Sequence, residues 1–305
     1  MTATLGAALV VAVAGCGRTS GPVDPHVVIG SKGFTESRLV AAAYAQALSR
    51  VGFTPTIRTV PTTPALARAL RAGQVDLYPE YTGTAWTLVE GSSPLALAGQ
   101  TRARQEQLVR DRLATDSALH AFSPAPGSNN AVAACTRASG LTSLTQFAGR
   151  TTPVSIAGQA EIFSRRDALP LLQTAYGFTI GRRVVTTPGD RYGPISRGHV
   201  ECMAAYETDP EIESMHLTIL ADPMHVTGGA VDYRPMALAS AGWWNGLSGD
   251  VQDQVETALG NVSHKMTTAW LRSANLRVTS GHESPSDVAL ELVNVSVPGR
   301  AAAAP

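Results

Sequence analysis

Apolar positions along the first part of the chain switch between two spacings. Val27-Val28-Ile29 is a short apolar run of strand type, and a Gly-Ser-Lys-Gly turn follows it. From Leu39 to Val51 the apolar residues recur at intervals of three and four, which is the spacing of an amphipathic helix, and Gly52 ends it. The pattern therefore predicts a strand, a tight turn and a helix of about four turns.

The same order of elements repeats directly afterwards. Residues 56–60 alternate as a strand, Pro64 begins a second helix that Gly73 ends, and residues 75–78 form a third strand candidate. This order predicts a parallel, doubly wound sheet, in which ligands bind beyond the carboxyl ends of the strands. At that edge Pro79 is expected to end the third strand by refusing a ladder hydrogen bond.

The second half of the chain repeats the alternation after a break. Residues 123–130 are rich in Pro, Gly and Asn and predict a crossing between two lobes. Strand candidates follow at residues 131–135, 152–156, 183–186 and 200–206, with a helix over residues 167–176. A return crossing is expected near residues 217–222, and helical material over residues 250–270.

The predicted fold class is α/β, with two doubly wound lobes joined by two crossing strands. Residues 26–125 together with 220–300 are expected to form lobe 1, and residues 126–219 lobe 2. Residues 301–305 are expected to be a disordered tail.

The N-terminal segment has the pattern of a secretory signal. Residues 5–16 are apolar, too short to span a bilayer as a stable helix, and end in Val13-Ala14-Gly15-Cys16. This ending resembles the bacterial lipobox, whose cysteine is acylated, although the first four residues carry no Lys or Arg. It implies lipidation at Cys16, residues 1–25 as signal and tether, and a location on the extracytoplasmic face of the cell membrane.

Composition excludes some partners and leaves the state of two cysteines open. With 24 basic and 24 acidic residues among 305, the formal net charge is +0, so nucleic-acid binding is not expected. Lys32 is one of two lysines, in a chain that otherwise uses arginine. Cys135 and Cys202 form an even pair in an oxidising compartment, where a disulfide and two buried thiols are both reasonable.

No sequence motif points to catalysis. The chain has no Gly-x-Ser-x-Gly, His-Glu-x-x-His or Cys-x-x-Cys pattern, and its histidines lack metal-ligand spacing. We therefore expect no catalytic residue, no metal and no cofactor. A ligand-free envelope lipoprotein or an enzyme on this fold stays as the alternative class.

Two motifs resemble a known family. Gly30-Ser31-Lys32-Gly33-Phe34-Thr35-Glu36 is similar to the opening motif of the substrate-binding proteins of ABC importers for glycine betaine, choline and carnitine, and residues 73–84 match that family's signature. The resemblance covers about residues 26–275. It implies a type II periplasmic-binding-protein fold, a monomer that closes on a small molecule like a hinged clamp, and a permease and an ATPase as partners.

The resemblance also implies a ligand set. In the family, aromatic rings surround a quaternary ammonium, while a lysine, an arginine and a threonine hold a carboxylate. The positions that match are Lys32, Tyr81, Thr84, Arg165 and Tyr206. Tyr81 is expected to face the cleft, so that Tyr81→Ala would weaken binding and leave the unfolding midpoint nearly unchanged.

Two positions depart from the family pattern. Val132 stands where a cage tyrosine is usual, and Thr227-Gly228-Gly229-Ala230 precedes Tyr233, which comes three places late. We therefore add Ser31, Val132 and Tyr233 as weaker site candidates. The loss of two rings predicts weak binding of glycine betaine, and a bulkier polyol or aromatic solute is the alternative ligand.

Overall fold

The computed structural model describes residues 25–93, 96–97, 99–166, 168–224, 226 and 232–294. The predicted signal with Cys16, residues 227–231 and the predicted tail at 301–305 lie outside the described residues. Among the described residues, no helix is long and apolar enough to cross a membrane.

A first five-stranded sheet carries the first part of the chain. Its strands are β1 (His26–Ser31), β2 (Thr54–Thr59), β3 (Leu77–Tyr81), β4 (Leu119–Ala121) and β10 (Pro235–Ser240), in the order β2-β1-β3-β10-β4. The pairs β1–β2 and β1–β3 are parallel, as predicted, whereas β10 is antiparallel to both β3 and β4. The sheet is therefore mixed.

A second five-stranded sheet carries the middle of the chain. Its strands are β5 (Ala131–Cys135), β6 (Val154–Gln159), β7 (Ile180–Thr186), β8 (Cys202–Tyr206) and β9 (Thr218–Ile219), in the order β7-β6-β8-β5-β9. The pairs β6–β7 and β6–β8 are parallel, and β5 is antiparallel to β8 and β9.

Helices cover both sheets. They are α1 (Thr35–Arg50), α2 (Thr63–Arg71), α3 (Thr82–Thr84), α4 (Arg102–Leu113), α5 (Thr145–Ala148), α6 (Leu169–Tyr176), α7 (Gly193–Ser196), α8 (Glu211–Ser214), α9 (Ala241–Gly246), α10 (Gly249–Ser263), α11 (Thr268–Thr279) and α12 (Pro285–Asn294). The apolar stripe of α1 is fully buried against the first sheet, α10, α11 and α12, which explains its length and regularity.

The prediction that Pro79 ends the third strand is wrong. β3 continues to Tyr81, and Pro79 lies opposite Ala237 of β10. Backbone hydrogen bonds run from Ser240 N to Asp76 O (2.8 Å) and from Thr82 N to Arg234 O (3.0 Å). Hydrogen-bonded and non-hydrogen-bonded residues alternate along an antiparallel pair, so Pro79 is at a position that makes no hydrogen bond to β10. The proline nitrogen therefore points away from β10, where its missing N–H removes no bond from this ladder.

The two sheets are joined by chain segments whose positions partly match the prediction. Residues 122–130 run from β4 of the first sheet to β5 of the second, as expected. Residues 217–222, the expected return crossing, instead contain β9, which pairs with β5. The chain therefore returns to the first sheet between Ile219 and Pro235.

Candidate functional site

A cavity of about 370 Å³ lies between the two sheets, at the ends of several strands. Its lining includes the five residues that the family resemblance selects: Lys32, Tyr81, Thr84, Arg165 and Tyr206. Val132 and Tyr233 line it as well. Ser31 does not, because it is fully buried with its hydroxyl oxygen 3.4 Å from that of Ser37.

Lys32 already has an anionic partner within the protein. Its Nζ forms an ion pair with Oε1 of the fully buried Glu80, and the backbone N–H of Tyr81 donates to the same oxygen at 2.8 Å. Burial lowers the pKa of Lys32, and the carboxylate of Glu80 opposes that shift. The charge of Lys32 is thus largely balanced before any ligand arrives, and its ammonium lies 5.6 Å from the centre of the Tyr81 ring.

Tyr81 is tied to a buried carboxylate. It is 7% exposed, and its hydroxyl donates to Glu36 Oε1 at 2.7 Å. Asn129 Nδ2 donates to the same oxygen at 2.7 Å. The other oxygen, Oε2, accepts from Thr208 Oγ1 at 2.6 Å and from Asn275 Nδ2 at 2.7 Å.

These four donors come from four separate parts of the chain. Tyr81 ends β3, Asn129 lies in the segment that joins the sheets, Thr208 follows β8, and Asn275 belongs to α11. Glu36 therefore connects the first turn of α1 to both sheets. Burial raises the pKa of Glu36, and the four hydrogen bonds act in the opposite direction.

Tyr206 lies next to an ion pair between Arg191 and Asp209, which the sequence did not predict. Arg191 contacts both carboxylate oxygens of Asp209, at 3.1 and 2.6 Å, and its guanidinium carbon lies 5.3 Å from the centre of the Tyr206 ring. The backbone N–H of Tyr206 also donates to Asp209, at 2.8 Å. Burial raises the pKa of Tyr206, and the charges of Arg165 and Arg191 oppose that shift. The only signal in the sequence was that Asp209 lies three residues after Tyr206.

Tyr233 packs on the backbone next to Thr84. A Cβ added to Gly83 would lie 2.7 Å from Cε1 of the Tyr233 ring, so only glycine lets the ring lie this close. The backbone N–H of Tyr233 donates to Asn130 Oδ1 at 2.9 Å. The group that approaches the Gly83 backbone is thus a protein ring that lines the cavity.

Arg165 reaches the cavity from the second sheet. It follows a 3₁₀ turn, Ala160–Phe163, that begins at the carboxyl end of β6, and its backbone N–H donates to Glu161 O at 2.8 Å. Both Arg165 and Glu161 line the cavity, together with Phe34 and Asn129. The cavity lining thus includes the rings of three tyrosines and one phenylalanine together with the guanidinium of Arg165. Such a lining suits a solute with both a cationic and an anionic group.

Nothing in the described part of the chain forms a metal site, since no group of three or more His, Cys, Asp or Glu residues has suitable geometry there. Cys135 and Cys202 are directly opposite in the β5–β8 pair and are joined by a disulfide bond.

Comparison with known proteins identifies the family. Residues 25–294 match the model of the substrate-binding domain of the ABC-type glycine betaine transport system. The chain belongs to this family. It is therefore an extracytoplasmic solute-binding protein of a glycine betaine-type ABC importer and not an enzyme, as the sequence motifs predicted.

Individual relatives agree with this assignment. Glycine betaine-binding protein YehZ of Escherichia coli (strain K12) is 29% identical over 216 residues, which are 66% of this chain and 70% of that protein. A crystal structure of a glycine betaine/carnitine/choline ABC transporter matches with a TM-score of 0.67 at 16% identity, over 88% of this chain and 97% of the other. Apo YehZ from E. coli matches with a TM-score of 0.60 at 24% identity, over 88% and 97%. These structural matches confirm the type II periplasmic-binding-protein fold.

Proposed function

We propose that this family member binds a small osmolyte-like solute in the cavity between its sheets and delivers it to its importer while anchored to the outer face of the membrane through Cys16. The observation that carries the proposal is that Lys32, Tyr81, Thr84, Arg165 and Tyr206, which come from distant parts of the sequence, line one cavity.

The chemistry of the lining supports a zwitterionic solute. The rings of Tyr81, Tyr206 and Tyr233 offer aromatic surface to a cation, and each face contributes about 0.5 to 2 kcal/mol once water is excluded. Arg165 offers a bidentate partner to a carboxylate, and Thr84 a hydroxyl. Lys32 is already paired with Glu80, so a ligand carboxylate near Lys32 would share its ammonium with that side chain.

We propose further that each sheet is the centre of one lobe, with residues 126–219 as lobe 2, and that the protein acts as a monomeric clamp. The hydrogen bond from Thr208 to Glu36 supports a hinge of this kind, because it joins a residue that follows β8 to the first turn of α1.

Glycine betaine itself should bind weakly. Val132 lies at the cavity and gives no aromatic face to a trimethylammonium group. A sub-micromolar dissociation constant for glycine betaine by calorimetry would contradict this part of the proposal. Val132 in place of a tyrosine favours the second candidate, a bulkier solute such as a polyol or an aromatic compound.

A thermal-shift screen tests the ligand class. Glycine betaine, choline, carnitine and a panel of polyols and aromatic solutes are compared, because binding to the folded state raises the apparent stability by RT ln(1 + [L]/Kd). We expect zwitterionic ammonium compounds to raise the midpoint in the wild type and to lose that effect in Tyr206→Ala. A panel without any shift would contradict solute binding at this site.

Membrane attachment has its own test. Substituting Cys16→Ser should move the protein from the membrane fraction to the soluble fraction. Unchanged retention in the membrane would contradict lipidation at this residue.

A further inference from the structure

The cavity continues from Tyr206 along one face of the second sheet. In the antiparallel β5–β8 pair, Ala131 lies opposite Tyr206, Ala133 opposite Ala204, and Cys135 opposite Cys202. Because side chains alternate along a strand, Tyr206, Ala204 and Cys202 point to the same face. At about 3.3 Å per residue, this stripe extends about 13 Å from the tyrosine to the disulfide.

The stripe is lined by small residues. Ala133 and Ala204 face each other across the strand pair, and both are partly exposed although they lie in the interior of a sheet. Gly158 of β6 adds a third position without bulk, where an added Cβ would lie 3.4 Å from Ala204 Cβ and 3.5 Å from Ile162 Cδ1. Two methyl groups and a glycine thus leave little side-chain volume along this face of the sheet.

The opposite wall is apolar as well. Phe147 of α5 and Leu169 and Leu172 of α6 line the same cavity as Ala133, Ile156 and Ala204. We call this set of six residues the apolar arm. None of the six carries a polar side-chain atom, so the arm has no group to hydrogen-bond a hydroxyl or to pair with a charge.

We infer that the solute carries an apolar substituent, a hydrocarbon chain or ring, which occupies the apolar arm while its zwitterionic head lies among Tyr81, Arg165 and Tyr206. The inference rests on the proposed function, because it assumes that the head binds where Tyr206 lines the cavity. A polyol fits the arm poorly, since its hydroxyl groups would lose their bonds to water without replacement. A hydrocarbon loses nothing there and gains by leaving water.

The apolar arm gives a second reason, beside Val132, for the weak binding expected of glycine betaine. A trimethylammonium head without a longer substituent leaves the arm empty and forgoes the contacts that the six residues offer. Affinity should therefore come from the substituent as well as from the aromatic rings.

Calorimetric titration with a homologous series tests the inference. The probes are glycine betaine and its analogues in which one N-methyl group is replaced by an ethyl, a butyl or a hexyl chain. Each methylene that enters the arm should lower the dissociation constant about fourfold, the factor that corresponds to the usual transfer free energy of a buried CH₂ group. The trend should stop when the arm is full.

Two variants locate the effect. Ala204→Leu fills the arm and should remove the gain with chain length. Gly158→Ala adds one methyl group at ordinary contact distance, so it should fold normally and penalise the hexyl analogue most. Ala114→Leu, at an exposed position next to α4, is the matched control and should behave as the wild type.

The outcomes separate the inference from the proposed function. Affinity that rises with chain length in the wild type and is flat in Ala204→Leu supports the arm. Binding of glycine betaine with no gain along the series overturns the apolar arm and leaves the proposed site intact. If no member of the series binds, both the arm and the zwitterion site are wrong. A gain that persists unchanged in both Ala204→Leu and Gly158→Ala overturns the assignment of the substituent to this arm.

Discussion

At the scale of single residues, the carboxylate of Glu36 connects the parts that must hold together around the cavity. It accepts hydrogen bonds from Tyr81, Asn129, Thr208 and Asn275, which lie on four different segments. A buried carboxylate is stable only when its oxygens are satisfied in this way. Glu36 therefore couples the position of one cavity wall, Tyr81, to the second sheet.

This network changes what is expected of Tyr81. The sequence alone suggested that the side chain could be removed with little effect on stability, but its hydroxyl donates to a buried charged oxygen. Tyr81→Phe should lower the free energy of unfolding by about 1.5 to 3 kcal/mol, as expected for a hydrogen bond to a charged group. Since the ring stays, ligand affinity should change only a few-fold. Denaturant unfolding and calorimetry on the same variant measure both, and unchanged stability would show that the bond contributes nothing.

The raised pKa of Glu36 predicts a dependence of stability on pH. A folded-state pKa above the usual value of 4.5 means that, over the interval between the two, the folded protein keeps a proton that the unfolded chain has released. The stabilising contribution is complete below about pH 4.5 and is lost as the pH rises through the folded-state pKa. Glu36→Gln does not titrate, so it should lack this loss. The free energy of unfolding of the wild type should fall relative to that of Glu36→Gln as the pH rises, and parallel curves for the two proteins would contradict the prediction.

At the scale of elements, the end of β3 and the short helix α3 form one wall of the cavity. Tyr233 packs directly on the backbone of Gly83, where an added Cβ would be 2.7 Å from the ring. Gly83→Ala should displace the ring and lower the free energy of unfolding by about 1 to 3 kcal/mol. Gly149→Ala is the control, because nothing lies within 4 Å of its added Cβ. Equal unfolding midpoints for Gly83→Ala and Gly149→Ala would mean that the Tyr233 ring moves aside without loss of stability, and would contradict the prediction.

The strand pair β5–β8 is cross-linked by Cys135 and Cys202, which are 67 residues apart in sequence. In the chain-entropy view, closing a loop of this length stabilises the fold by about 4 kcal/mol. The Cys135→Ala/Cys202→Ala double variant should therefore unfold at a clearly lower denaturant concentration. Titration of the denatured, unreduced protein should find neither thiol free, and two free thiols would contradict the bond.

How much of these elements the sequence predicts depends on the range of the interactions. The helix from Leu39 to Val51 is predicted well, because the spacing of its apolar residues is a local property. The continuation of β3 past Pro79 is not, because its partner β10 lies more than 150 residues away. The cavity candidates were selected through motif resemblance, whereas the Arg191–Asp209 pair and the Glu36 network depend on contacts between distant segments.

At the scale of the whole molecule, two mixed sheets with a cavity between them give the architecture of a solute-binding protein. The family assignment states the role, and the cavity supplies the chemistry by which this member would select its solute. Both proposals depend on Tyr206. Its ring lines the cavity beside the other aromatic residues, and it is the first residue of the stripe of side chains that extends to the disulfide.

The most direct test is calorimetric titration of the best solute from the thermal-shift screen against the wild type and Tyr206→Ala, with the unfolding midpoint of each ligand-free protein measured in parallel. The account predicts that Tyr206→Ala weakens binding by about 1 to 3 kcal/mol, roughly fivefold to 150-fold in Kd, while the ligand-free midpoint falls only slightly. Equal affinity in the two proteins would contradict the claim that the solute binds in the cavity between the sheets.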